Sequence, residues 1–125
     1  METSIKSFKD LSAQDGQQVE IIGKYIPWHP SGKRDMSQMF VRIHLIDDLE
    51  AGMNDIRSMP ELGNYYKDDR PRPKEERDKW GGKVVVVRGT YHAKLIPEDV
   101  PPEARKYWWP CIHPVEEITE HKPNP

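Results

Sequence analysis

Between Gln18 and Trp28 the side chains alternate: Val19, Ile21, Gly23 and Tyr25 fall on one face of an extended strand, and Glu20, Ile22, Lys24 and Ile26 on the other. Gly23 in the middle of this run marks a bend or bulge. His29-Pro30-Ser31-Gly32-Lys33-Arg34 is a turn by composition, after which Met39, Val41, Ile43 and Leu45 alternate with Phe40, Arg42, His44 and Ile46. The pair predicts a hairpin. Gly81-Gly82 then starts the run Lys83-Val84-Val85-Val86-Val87-Arg88-Gly89-Thr90-Tyr91, whose β-branched residues suit a buried strand. A last strand is predicted from Cys111 to Glu117. Val19, Ile21, Val41, Ile43, Val85, Val87 and Val115 are expected to point into one core.

Helical spacing is sparse. Ile5, Phe8 and Leu11 recur every three residues, enough for one or two turns laid on the domain before Asp15-Gly16 breaks the pattern. Asp47-Asp48 ends the hairpin, and the polar section up to Gly82 predicts short helices at Met53 to Met59 and Lys74 to Trp80. The second begins after Pro73 and carries a Glu75–Lys79 pair one turn apart. Pro101-Pro102-Glu103-Ala104-Arg105-Lys106 is the start of a further helical turn inside the long connection from Pro97 to Pro110. His121-Lys122-Pro123-Asn124-Pro125 suits neither helix nor strand.

A lead-in turn, a long first strand with a central glycine, a hairpin, a helical insert, then Lys83 to Tyr91 and a final strand: this order resembles the OB fold. The resemblance implies a mainly β chain, a five-stranded Greek-key barrel with short helices in the insert between the hairpin and the valine strand. It implies too that oligonucleotides or oligosaccharides bind on one face and its flanking loops. Residues 1–15 form the lead-in, 16–119 a single OB-like domain and 120–125 a loose tail. The third strand is the element hardest to find: either Met39 to Ile46 is divided by a bend, or Leu62 to Lys67 contributes a short edge strand.

Composition narrows the function. The 125 residues suit one domain, and 12 prolines with 8 glycines favour long connections over a helical bundle. Lys and Arg number 19 against 21 Asp and Glu, a net charge of −2, so no global field draws the chain onto a polyanion and any nucleic-acid site must be local. The single Cys111 excludes an intrachain disulfide, and no run approaches the roughly 20 apolar residues that span a bilayer. A cytoplasmic protein without a membrane partner is expected.

Candidate ligand residues lie in the two loops that flank the usual OB ligand face. Trp28, His29, Lys33 and Arg34 come from the first, and Arg105, Lys106, Tyr107, Trp108 and Trp109 from the second. Bases stack on exposed aromatic rings for about 1 to 3 kcal/mol each while cations hold the phosphates. The competing reading makes Tyr107-Trp108-Trp109 a lid folded on the barrel. Arg42, His44 and Arg88 fall opposite the presumed core residues and are expected to face solvent, as a polar strip or as ordinary surface charge.

Catalytic and metal chemistry find little support. Cys111 and His113 share a strand face, but zinc needs three or four ligands and the sequence offers no second cluster. Asp47-Asp48-Leu49-Glu50 lacks calcium-loop spacing and is expected to cap the following helix. The charge-dense stretch from Lys67 to Lys83 mixes both signs and reads as a solvated loop. No nucleophile elbow, phosphate loop or metalloprotease helix occurs. The expectation is a non-catalytic module without cofactor or metal that binds single-stranded nucleic acid; the alternative is a protein-interaction or assembly module using exposed aromatics and the barrel edge.

Overall fold

The first strand, β1 (Gln18–Trp28), serves two neighbours in turn. Its residues from Gln18 to Lys24 pair antiparallel with β4 (Val84–His92), and those from Gly23 to Trp28 pair antiparallel with β2 (Phe40–Leu45). Gly23 stands where the pairings overlap, opposite Leu45 on one side and Val85 on the other. A Cβ there would lie 2.5 Å from the His44 carbonyl oxygen and 2.6 Å from Ile43 Cγ2, so a bare backbone is what lets β1 coil so closely past β2. These details come from a computed structural model, which describes residues 4–28, 40–63, 72–94 and 110–122.

Closure depends on a strand of two residues, β3 (Glu61–Leu62). It pairs antiparallel with β2 (Arg42 opposite Glu61, Val41 opposite Leu62) and parallel with β5 (Cys111–Glu120). β5 returns antiparallel to β4, completing a closed barrel in the order β1-β2-β3-β5-β4. The chain is therefore mainly β, a closed five-stranded mixed barrel compatible with an OB-like fold. The third strand is thus Glu61–Leu62, which shares only Leu62 with the Leu62 to Lys67 alternative and, paired on both sides, is not an edge strand; residues 64–67 are outside the described residues. The β4–β5 register shifts around Gly89, where a Cβ would collide with the Pro114 carbonyl.

The expected core is the observed one. Val19, Ile21, Val41, Ile43, Val85 and Val87 are buried, and Val115 packs half-buried against them. Tyr25 and Tyr91 are the largest fully buried side chains, joined by Leu11 from α1 (Phe8–Leu11) and Trp80 from α3 (Lys74–Trp80). Helix α3 has the predicted bounds, but the expected Glu75–Lys79 pair is not the one that forms. Lys74 reaches Asp78 at 3.1 Å and Arg72 reaches Glu76 at 2.8 Å, while the Lys79 ammonium lies 4.7 Å from the centre of the Trp80 ring.

Elsewhere the local pattern misleads. No helix spans 53–59: α2 occupies Ile46–Glu50, and a single 3-10 turn covers Ile56–Ser58. Gly52 at φ 73° ends α2, and the Asp55 carboxylate takes the Arg57 N–H at 2.9 Å, a local turn that competes with helix. Asp47 and Asp48 lie in the first turn of α2, and the buried Asp48 caps another helix, accepting from the Phe8 N–H at 3.1 Å. β5 continues to Glu120, and the His121 N–H still donates to the Val84 carbonyl, so ladder bonding enters the segment expected to be loose. Among the described residues no helix is long and apolar enough to cross a membrane.

Candidate functional site

The outward positions described on β2 are Arg42 and His44, alternating with the buried Val41, Ile43 and Leu45. Across the ladder, Arg42 stands between Ile26 of β1 and Glu61 of β3, and His44 stands beside Lys24. Directly opposed positions in such a ladder hold their Cβ atoms about 5 Å apart, so these residues form one strip across three strands.

The attachment points of both long connections lie beside this strip. Segment 29–39 leaves after Trp28, whose backbone pairs with Phe40. Segment 95–109 returns at Pro110, whose carbonyl accepts the Glu61 N–H at 3.0 Å. One residue before Glu61, the Pro60 carbonyl accepts the Ile43 N–H at 3.0 Å. The parallel β3–β5 pairing is responsible, because it fixes the start of β5 beside the start of β3.

Within the strip the side chains are not equivalent. Arg42 is half-buried and donates from Nη1 to the Met59 carbonyl at 2.9 Å, leaving the guanidinium held against the edge of the barrel. Lys24 is exposed, Ile26 half-buried and Glu61 buried. His44 does not face solvent as expected: it is 5% exposed, because the chain after α2 folds over it and the Met53 carbonyl accepts from His44 Nε2 at 2.6 Å. Period-two alternation separates the two faces of a strand, but it is blind to a loop laid over the outer one.

Arg88 is not part of this strip. It pairs with Glu20 of β1, whereas Arg42 pairs with Ile26, six positions further along the same strand and so roughly 20 Å away. Exposed Arg88 sits between two carboxylates, Glu20 at 3.9 Å and Glu117 at 3.5 Å. The common polar strip of Arg42, His44 and Arg88 therefore does not exist: one is half-buried, one covered, and one on another part of the wall. His29, Lys33, Arg34, Arg105, Lys106, Tyr107, Trp108 and Trp109 lie outside the described residues, as does the side chain of Trp28.

Cys111 is buried at the start of β5 with His92 as its cross-strand partner, and His92 Nε2 donates to the His113 carbonyl at 2.9 Å. That bond uses the imidazole to tie β4 to β5. Among the described residues no three His, Cys, Asp or Glu side chains converge as a metal-binding group.

Lys24, Ile26 and Glu61 are strip residues that the sequence reading did not single out. The alternation in β1 contains the first two; Glu61 belongs to a strand too short to show a period. No protein-family model, curated protein or solved structure matches this chain.

Proposed function

We propose that this protein is a non-catalytic OB-fold module that binds single-stranded nucleic acid across the β2–β3 strip. The observation that carries the reading is the barrel order β1-β2-β3-β5-β4 with β3 parallel to β5, because with the β1–β2 pairing it sets the attachment points of both long connections, at Trp28 and Phe40 and at Pro110, beside one strip. Barrels of this connectivity in the OB family use that face and those loops for oligonucleotides. Composition supports the choice of ligand. Segment 29–39 contains Lys33 and Arg34 next to Trp28, and segment 95–109 contains Arg105, Lys106, Tyr107, Trp108 and Trp109. Arg42 adds a cation on the strand between them.

With a net charge of −2, attraction to phosphate is local, so binding is weak at high salt and falls steeply as salt rises. Fluorescence anisotropy with labelled mixed-sequence single strands, across a salt series, tests the reading. Saturable binding with a negative salt slope is expected; no binding at low salt would overturn it. A pull-down from cell extract with and without nuclease separates the alternative: a protein retained after nuclease treatment points to an assembly module instead.

A further inference from the structure

β5 pairs with β4 from Cys111 to Glu120, with register shifts around Gly89, but β3 covers its other side only at Cys111 and Ile112. From Val115 to Glu120 no strand lies against that outer side among the described residues. The orientation of its backbone follows from one bond: the His121 N–H donates to the Val84 carbonyl at 3.2 Å. In an antiparallel ladder, residues bonded to the partner strand alternate with residues whose N–H and C=O point away. Counting back through Glu120 opposite Val85, Thr119 opposite Val86, Ile118 opposite Val87 and Glu117 opposite Arg88, residues 119 and 117 bond to β4. Ile118 and Glu120 turn their backbone groups outwards.

The rim of this edge is acidic. Glu116, Glu117 and Glu120 are all exposed, and of the three Arg88 on β4 reaches Glu117, at 3.5 Å. Glu116 accepts from the neutral Gln18 amide, which leaves its charge uncompensated. A second copy of this chain is a poor occupant, since antiparallel β5–β5 pairing would set glutamates against glutamates, and like charges directly opposite destabilise a ladder. Carboxylates on an edge are a usual guard against self-pairing. The same charges favour a strand that brings lysine or arginine to those positions.

We propose that the outer edge of β5, from Val115 to Glu120, is a strand-addition site for an extended basic peptide segment. Ile118 and Glu120 supply the main-chain bonds, and Glu116, Glu117 and Glu120 select for positive charge on the incoming strand. The site is separate from the β2–β3 strip and does not depend on the nucleic-acid reading.

The test uses the full chain and a fluorescent synthetic peptide in which lysine alternates with threonine and valine. Controls are the same peptide with glutamate for lysine, and the lysine peptide N-methylated at alternate residues in each of the two possible frames. Expected are binding of the lysine peptide, no binding of the glutamate peptide, and loss of binding in one methylation frame, since an N-methyl group blocks pairing without removing charge. Glu116→Lys with Glu120→Lys should weaken binding about tenfold or more. Nucleic-acid binding should not be lost in that variant, so the two readings fail independently. Failure of the lysine peptide to bind, or equal binding of both methylated peptides, would overturn the proposal. So would self-association of the parent chain through β5, seen by sedimentation and abolished by Glu120→Pro.

Discussion

Tyr25 donates its hydroxyl to Glu76 Oε2 across 2.7 Å, fastening the inside of β1 to helix α3. Arg72 completes the arrangement, donating from Nε to Oε2 at 2.9 Å and from Nη2 to Oε1 at 2.8 Å. The carboxylate is thus held from both sides with little exposure to water. A hydrogen bond to a charged group contributes about 1.5 to 3 kcal/mol, so Tyr25→Phe should destabilise by that amount. Paired with Glu76→Gln in a double-mutant cycle, it should show a coupling of about 0.5 to 3 kcal/mol in urea melts. Purely additive losses would mean that the bond contributes nothing.

Tyr91 makes the opposite case. It is fully buried, yet its hydroxyl has no hydrogen-bond partner among the described residues. Tyr91→Phe should therefore leave stability unchanged or raise it by about 1 kcal/mol, because removing an unsatisfied polar atom relieves a desolvation cost. A loss of stability in the same melts would reveal a partner for that oxygen.

The two tyrosines also set an alkaline limit. Burial, with Asp15 and Cys111 nearby, pushes the Tyr91 phenol up to about 12, and burial with Glu76 raises Tyr25 as well. The folded chain then keeps protons that the unfolded chain has lost. The contribution of Tyr91 is complete below the ordinary tyrosine value near 10 and is lost as pH climbs from there to about 12, and that of Tyr25 begins to fall over the same range and continues beyond it. Melts over that window should show falling stability, with a shallower fall in Tyr91→Phe.

Gly23→Ala tests the coiling of β1. The new methyl would meet the His44 carbonyl oxygen at 2.5 Å, backbone that cannot swing away, so a loss of about 1 to 3 kcal/mol is expected. Val87→Asp tests the register more severely: the position is fully buried, and an unpaired carboxylate there costs several kcal/mol against a total stability of about 5 to 15. The domain should unfold; a parent-like melting curve would contradict the assigned face.

For binding, Arg42→Ala should weaken affinity for single strands and flatten the salt slope by about one phosphate contact, while Arg88→Ala should leave both unchanged. Arg88 is flanked by Glu20 and Glu117 at a distance from the strip. Equal effects of the two substitutions would move the site to another part of the barrel.

Which residues face the core was legible in the sequence, because a strand with one buried side needs apolar residues at every second position and β1, β2 and β4 have them. Gly23 was legible as a bend or bulge in β1, and α3 was readable from Pro73 at its start. What only the tertiary structure decided are features that depend on chains meeting from far apart. β3 carries no periodicity; it is a strand because β2 and β5 already offer it partners. His44 carries a surface pattern and is buried because the Met53 segment crosses it, and the carboxylate of Asp48 reaches from α2 to cap α1. Local alternation specifies the orientation of a side chain relative to its own strand. Whether water, a loop or a neighbouring strand waits on that side is set by closure of the barrel.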